Sequence, residues 1–186
     1  MRLFFAIDIT EQDKDQLAIW QEKLSHENED QKNDSHKNYA LVDKNNFHIT
    51  LSFLGQVTDE QYHQLIDKAD QLAAQVRHTN SQIIELDHLG LFKKPKVLYL
   101  GLAQTPNWLA MLAEQLKQKA LSLDIFQEAR HYRPHITLAR KAKVLPEVAP
   151  LNIKLTVNSF SLYQSISTAN GVKYRPTKTW QLSEHL

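Results

Sequence analysis

The tetrapeptide His48-Ile49-Thr50-Leu51 recurs as His135-Ile136-Thr137-Leu138 within a chain of 186 residues. With nine histidines in this length, composition alone supplies about half of one H-x-T match, so a single copy is a weak signal. Two identical extended copies are far beyond that expectation, and they require a fold that builds the same local structure twice. Both copies sit in strand-like segments. FHITLSFL (47–54) and HITLA (135–139) alternate polar and apolar residues with β-branched and aromatic members, the period of a half-buried strand. Uninterrupted alternation puts His48, Thr50 and Ser52 on one face and Ile49, Leu51 and Phe53 on the other; His135 and Thr137 repeat this against Ile136 and Leu138. Each copy therefore presents one imidazole beside one hydroxyl.

The flanking sequence divides into two similar halves. In the first, 2–8 reads as a strand and Thr10 as the N-cap of a helix running to about Leu24. Residues 25–38 contain no apolar side chain and read as a long exposed or disordered loop before the first motif strand. Thr58 with Gln61 forms a capping-box pattern ahead of an apolar helical stripe from Tyr62 to Val76. In the second half, 82–92 and 96–102 read as strands joined around Lys93-Lys94-Pro95. Thr105-Pro106 then starts a helix carrying Leu109, Leu112, Ala113, Leu116 and Ala120. After the second motif, 151–166 reads as one long strand and 172–182 as a final one. The expected fold is α+β. Two pseudo-symmetric lobes, each an antiparallel sheet with helices packed outside, form one bilobal domain over 1–186 with the H-x-T strands facing across a central cleft.

Composition narrows the chemistry. Zero cysteines rule out disulfides, thiol nucleophiles, cysteine-ligated zinc and iron–sulfur clusters. Nothing resembles a signal peptide or a membrane span, so no membrane partner and a cytoplasmic location are expected. The net charge of +1 argues against nonspecific coating of nucleic acid, but its distribution is uneven. Residues 11–34 hold eight acids against three lysines, whereas Arg130, Arg133, Arg140, Lys141 and Lys143 surround the second motif against the lone Glu128. A phosphate-bearing ligand suits that stretch. With only four glycines and no G-x-x-x-x-G-K pattern, no nucleotide-phosphate loop is present, and no cofactor is expected. His131 and His135 have the spacing of helical zinc ligands, but Pro134 lies between them, so no metal is expected either. The other histidines (26, 36, 63, 78, 88 and 185) read as bystanders in polar or helical surface contexts.

Two imidazoles across a cleft suit acid–base work at neutral pH, because one can be neutral while the other is protonated. Adjacent hydroxyls can donate to the oxygens of a phosphorane, which implies phosphoester cleavage. The doubled H-I-T-L, the opening RLFFAID (2–8), the stretch LSFLG (51–55) and the run PHITLAR (134–140) together resemble the two-histidine (2H) phosphoesterases. Within them the resemblance is to the bacterial RNA 2',3'-cyclic phosphodiesterases, also called 2'-5' RNA ligase-like proteins. It spans nearly the whole chain and departs in the polar loop 25–38 and the KKPK turn (93–96).

The resemblance implies a hydrolase of phosphoric esters that opens a terminal 2',3'-cyclic phosphate on RNA to a 2'-phosphate, with reversible 2'-5' joining as a related activity. It implies His48 as the general acid (proton donor), His135 as the base (proton acceptor), and Thr50 and Thr137 as holders of the nonbridging oxygens. Symmetry leaves the acid and base assignment reversible. Arg140 is the candidate contact with substrate phosphate, and Phe5 and Tyr132 are candidates for stacking a terminal base. The expected partner is RNA or an oligonucleotide with a cyclic end, with no obligate protein partner and a monomeric state. Two other readings stay open: a phosphodiesterase for a small cyclic nucleotide phosphate, and a protein that binds RNA ends without turning them over.

Overall fold

In the computed structural model, which describes residues 1–27, 40–76, 81–149, 151–169 and 171–183, the chain alternates strands and helices. They run β1 (Arg2–Ile7), α1 (Glu11–Glu27), β2 (Ala40–Leu41), a 3-10 turn (Lys44–Asn46), β3 (Ile49–Gln56), α2 (Asp59–Val76), β4 (Gln82–Leu86), β5 (His88–Phe92), β6 (Val97–Gly101), α3 (Asn107–Leu121), β7 (His135–Arg140), β8 (Ile153–Val157), β9 (Ser159–Thr168) and β10 (Gly171–Gln181). One sheet has the order β10-β9-β1-β3, a second β2-β7-β6-β5, and β4 pairs with β8; every pair is antiparallel. Strand, helix and motif strand occur twice, as β1-α1-β3 and β6-α3-β7, and in each half the motif strand lies beside the strand that opens the unit. The expected α+β class with two related lobes is what the chain builds.

Local sequence accounts for the helix starts. Thr10 accepts from the Asp13 amide at 3.1 Å, and Thr58 and Gln61 exchange reciprocal bonds of 3.1 Å as a capping box. The stripes of α2 and α3 bury Leu65, Ala69, Leu72, Leu109, Leu112 and Leu116. Three boundaries differ from the sequence reading. Helix α1 runs through 25–27, and the remainder of the polar stretch, 28–38, lies outside the described residues. The single strand expected over 82–92 is two strands in different sheets, broken at Asp87, whose carboxylate accepts from the Ala103 amide at 2.8 Å. The run 151–166 likewise splits at Asn158, so β8 and β9 belong to different sheets.

Both tetrapeptides carry a β-bulge at the same place. Ala6 pairs with Thr50 and Phe5 with Ser52, leaving Leu51 extra; Tyr99 pairs with Thr137 and Leu98 with Ala139, leaving Leu138 extra. An extra residue reverses which face the rest of the strand presents. Ser52 is therefore on the core face, buried, and does not share the face of His48 and Thr50 as strict alternation implied. Phe53, expected inward, stands opposite Phe4 and is 48% exposed. In β7 the same shift turns Arg140 to the face of His135 and Thr137.

Candidate active site

The two histidines are held alike. Nδ1 of His48 lies 2.7 Å from the Asn46 carbonyl oxygen, and Nδ1 of His135 lies 2.7 Å from the Arg133 carbonyl oxygen, in each case two residues upstream. A carbonyl only accepts, so each Nδ1 carries a hydrogen and each neutral imidazole offers the lone pair of Nε2. His48 Nε2 is 3.1 Å from the Thr50 hydroxyl, which donates to it while the ring is neutral. Each ring is also walled by two aromatics. Phe4 (4.9 Å between centroids) and Tyr174 (5.0 Å, edge-on) flank His48; Phe92 (5.0 Å) and Tyr99 (5.3 Å) stand edge-on to His135.

Long-range contacts fix these walls. The Asn46 amide donates to the Val172 carbonyl at 2.8 Å and accepts from the Tyr174 amide at 3.3 Å, pinning the start of β10 beside the turn whose carbonyl orients His48. Tyr99 lies over Gly90, where a Cβ would meet its ring at 2.3 Å, so only glycine admits the ring there. Gln21 on α1 donates to the Val42 and Leu138 carbonyls at 3.0 and 2.7 Å, tying the helix to the bulge of β7.

Burial dominates the electrostatics. It lowers the pKa of His48 from 6.5 to about 4, opposed by the Asn46 bond and reinforced by the charges of His135 and Arg140. His135 is also lowered, chiefly by burial and further by Arg130, with the Arg133 carbonyl bond opposing. The influence of His135 and Arg140 on His48 puts both motifs in one electrostatic neighbourhood. At pH 7 the site thus holds two neutral imidazoles and a guanidinium that has no carboxylate partner among the described residues, a setting that favours an anion.

The structure brings His48 and Thr50, at the start of β3, near His135, Thr137 and Arg140 on β7, the two strands being in contact and His135 and Arg140 acting on His48. It does not bring Phe5, which is fully buried on the opposite face of β1 against Phe160 and Trp180 and cannot stack a base. Tyr132 packs its ring against the core, and its buried hydroxyl has no partner among the described residues; burial raises its pKa. The residues missed from sequence are Asn46, Phe4, Tyr174, Phe92 and Tyr99. Phe4 alternates with the buried Phe5 and was open to detection, but β10 reaches His48 only through tertiary structure. Among the other histidines, His63 is exposed on α2, and His88 stands on the cleft face of β5, opposite Gly101 with Nδ1 2.8 Å from Asp87. Side chains of His26, His36, His78 and His185 lie outside the described residues. Among the described residues no group of three or more His, Cys, Asp or Glu is placed to share a metal ion, and no helix is long and apolar enough to cross a membrane.

Residues 2–178 match the family described as the AKAP7 2'5' RNA ligase-like domain. The chain belongs to this two-histidine phosphoesterase family. Among its relatives, the RNA 2',3'-cyclic phosphodiesterase of Escherichia coli K12 is 32% identical over 98% of this chain and 97% of that protein. The enzyme of the same description from Methanocaldococcus jannaschii is 28% identical, covering 97% of this chain and 100% of that one. The crystal structure of E. coli LigT complexed with 3'-AMP superposes with a TM-score of 0.81 at 32% identity, covering 98% of both chains. The crystal structure of a Thermus thermophilus protein, TT0787, gives 0.76 at 25% identity over the whole of both. Membership in a two-histidine family accounts for the doubled tetrapeptide.

Proposed function

We propose that the protein hydrolyses the terminal 2',3'-cyclic phosphate of RNA to a 2'-phosphate. The observation that carries this is the matched presentation of two imidazoles, each with Nδ1 bound to a backbone carbonyl and a hydroxyl two residues on, in one anion-favouring cleft. Relatives described as RNA 2',3'-cyclic phosphodiesterases support the substrate class.

The cyclic phosphate lies between the two Nε2 atoms. His135 Nε2 takes a proton from water as its oxygen bonds to phosphorus; the P–O3' bond breaks, and His48 Nε2 gives its proton to the departing 3' oxygen. The product is a 2'-phosphate beside a free 3'-hydroxyl. Thr50 and Thr137 donate to the nonbridging oxygens, where negative charge grows, and Arg140 offsets that charge. A 5'-hydroxyl of a second RNA in place of water gives 2'-5' joining by the same steps. His48 is neutral before substrate arrives, so it acquires its proton with the substrate, whose negative charge raises the imidazole pKa.

Deeper displacement of His48 favours a second reading with the roles exchanged, His48 as base and His135 as acid. A phosphodiester with a nitrophenol leaving group separates the two, since nitrophenolate departs without a proton. The first reading expects this substrate to restore turnover to His48→Ala and not to His135→Ala; the reverse pattern establishes the exchanged roles.

One chain supplies both histidines and threonines, so we propose a single bilobal domain acting as a monomer, and a cytoplasmic enzyme. Sedimentation equilibrium giving a dimer would contradict the monomer. The activity is tested by incubating oligoribonucleotides with cyclic ends and resolving the products. A 2'-phosphate is expected, and a 3'-phosphate or no product would overturn the proposal.

A further inference from the structure

The bulge in each tetrapeptide returns the residue three past the threonine to the cleft face: Arg140 in the second copy, Phe53 in the first. Arg140 is an exposed cation whose charge reaches His48. Phe53 is a ring 48% exposed beside Phe4, its cross-strand partner. Phe4 itself is covered, packed between His48, Tyr163 and Tyr174. On the same face of β1, Arg2 lays its guanidinium over Phe53 at 5.3 Å from the centroid. At the free edge of β3, Gln127 donates to the carbonyls of Phe53 and Phe126 at 3.0 and 2.9 Å and accepts from Ser52 at 2.9 Å; Phe126 is 81% exposed.

A row thus leads outward from His48 through Phe4 to Phe53 and Arg2, and a second exposed ring, Phe126, precedes the Gln127 that binds the Phe53 carbonyl. Leaving large rings in water forgoes the gain from burying them, so such a patch marks a binding surface. Its chemistry is that of single-stranded RNA binding: aromatic faces on which any base stacks, and a guanidinium that both stacks on bases and attracts phosphate. We propose that Phe53 with Arg2 forms a subsite for an unpaired base of RNA, that of the nucleotide preceding the cyclic end, with Phe126 at its rim. The rings touching His48 are occupied by packing, so the first open ring lies one cross-strand neighbour further out, beyond the terminal nucleotide. The subsite rests on the proposed RNA activity and deepens it: the enzyme reads a polynucleotide end rather than a mononucleotide.

The test compares kcat/KM for a nucleoside 2',3'-cyclic phosphate, a dinucleotide with the same end, and a dinucleotide lacking the upstream base, in wild type, Phe53→Ala and Phe53→Trp. Expected is a preference for the dinucleotide of about tenfold, the lower part of the range for one stacked base. That preference should vanish with the base removed and in Phe53→Ala, and persist in Phe53→Trp. Activity of Phe53→Ala on the mononucleotide controls for folding. A wild type that treats the mononucleotide and the dinucleotide alike overturns the subsite while leaving the activity standing. Equal loss on both substrates in Phe53→Ala overturns it in favour of a terminal-base contact. An unchanged length preference with altered self-association overturns it in favour of a protein-binding face. A wild type inactive on every cyclic end removes the functional reading itself, and the subsite with it.

Discussion

At the scale of single residues, the site is governed by the cost of charging a partly buried imidazole. His48 has its pKa lowered to about 4 in the folded protein against 6.5 unperturbed. Above pH 6.5 both folded and unfolded chains hold it neutral; as the pH falls from 6.5 toward about 4, the unfolded chain takes the proton first and stability is lost. At about 1.36 kcal/mol per unit, the loss is roughly 3 kcal/mol, and His48→Gln should lack it. Denaturant melts of both proteins from pH 7 to pH 4 measure this; parallel curves would show that burial does not set the His48 pKa. Arg140 contributes to the same depression, so Arg140→Ala should raise the His48 pKa, read by NMR titration of the imidazole, and raise KM roughly tenfold through loss of the proposed phosphate contact. The histidines and threonines are legible in sequence because the duplicated tetrapeptide singles them out, while their roles are what the family resemblance implies. Phe5 is misplaced by sequence because alternation does not say which face of β1 meets the core; the structure puts Phe4, not Phe5, against His48.

At the scale of elements, period-2 alternation locates the motif strands but not their bulges. Leu51 and Leu138 are apolar residues in an apolar position, and nothing in the pattern shows that each is inserted rather than paired. The consequence is large, because Ser52, Phe53 and Arg140 all change face. Broken strands escape detection for a related reason. The segments 82–92 and 151–166 each continue in suitable residues across Asp87 and Asn158, and only the partner strands reveal that the chain crosses between sheets. The sheet β2-β7-β6-β5 also depends on Gly90, over which Tyr99 lies before meeting His135 edge-on. Gly90→Ala forces that ring aside. A loss of about 1–3 kcal/mol in stability is expected from overpacking, with reduced turnover from the displaced wall of His135. Thermal melts and kinetics on the cyclic substrate check both, and an unchanged melting curve would contradict the close approach.

At the scale of the whole molecule, a duplicated strand-helix-strand unit places two chemically equivalent pairs around one cleft, and the surroundings make the pairs unequal. Asn46 clamps β10 behind His48, whereas His135 leans on Arg133 beside further cations. Opposed roles need such opposed environments. In the proposed mechanism the two imidazoles act on one phosphorus as a unit, so removing either disables the same bond-breaking event. Single-turnover hydrolysis of an RNA with a 2',3'-cyclic end by His48→Ala, His135→Ala and the double variant tests this most directly. Each single variant should lose roughly 10²–10⁴-fold, and the double variant little more than either. Losses that multiply in the double variant, or near-normal turnover in either single one, would contradict a joint two-histidine mechanism.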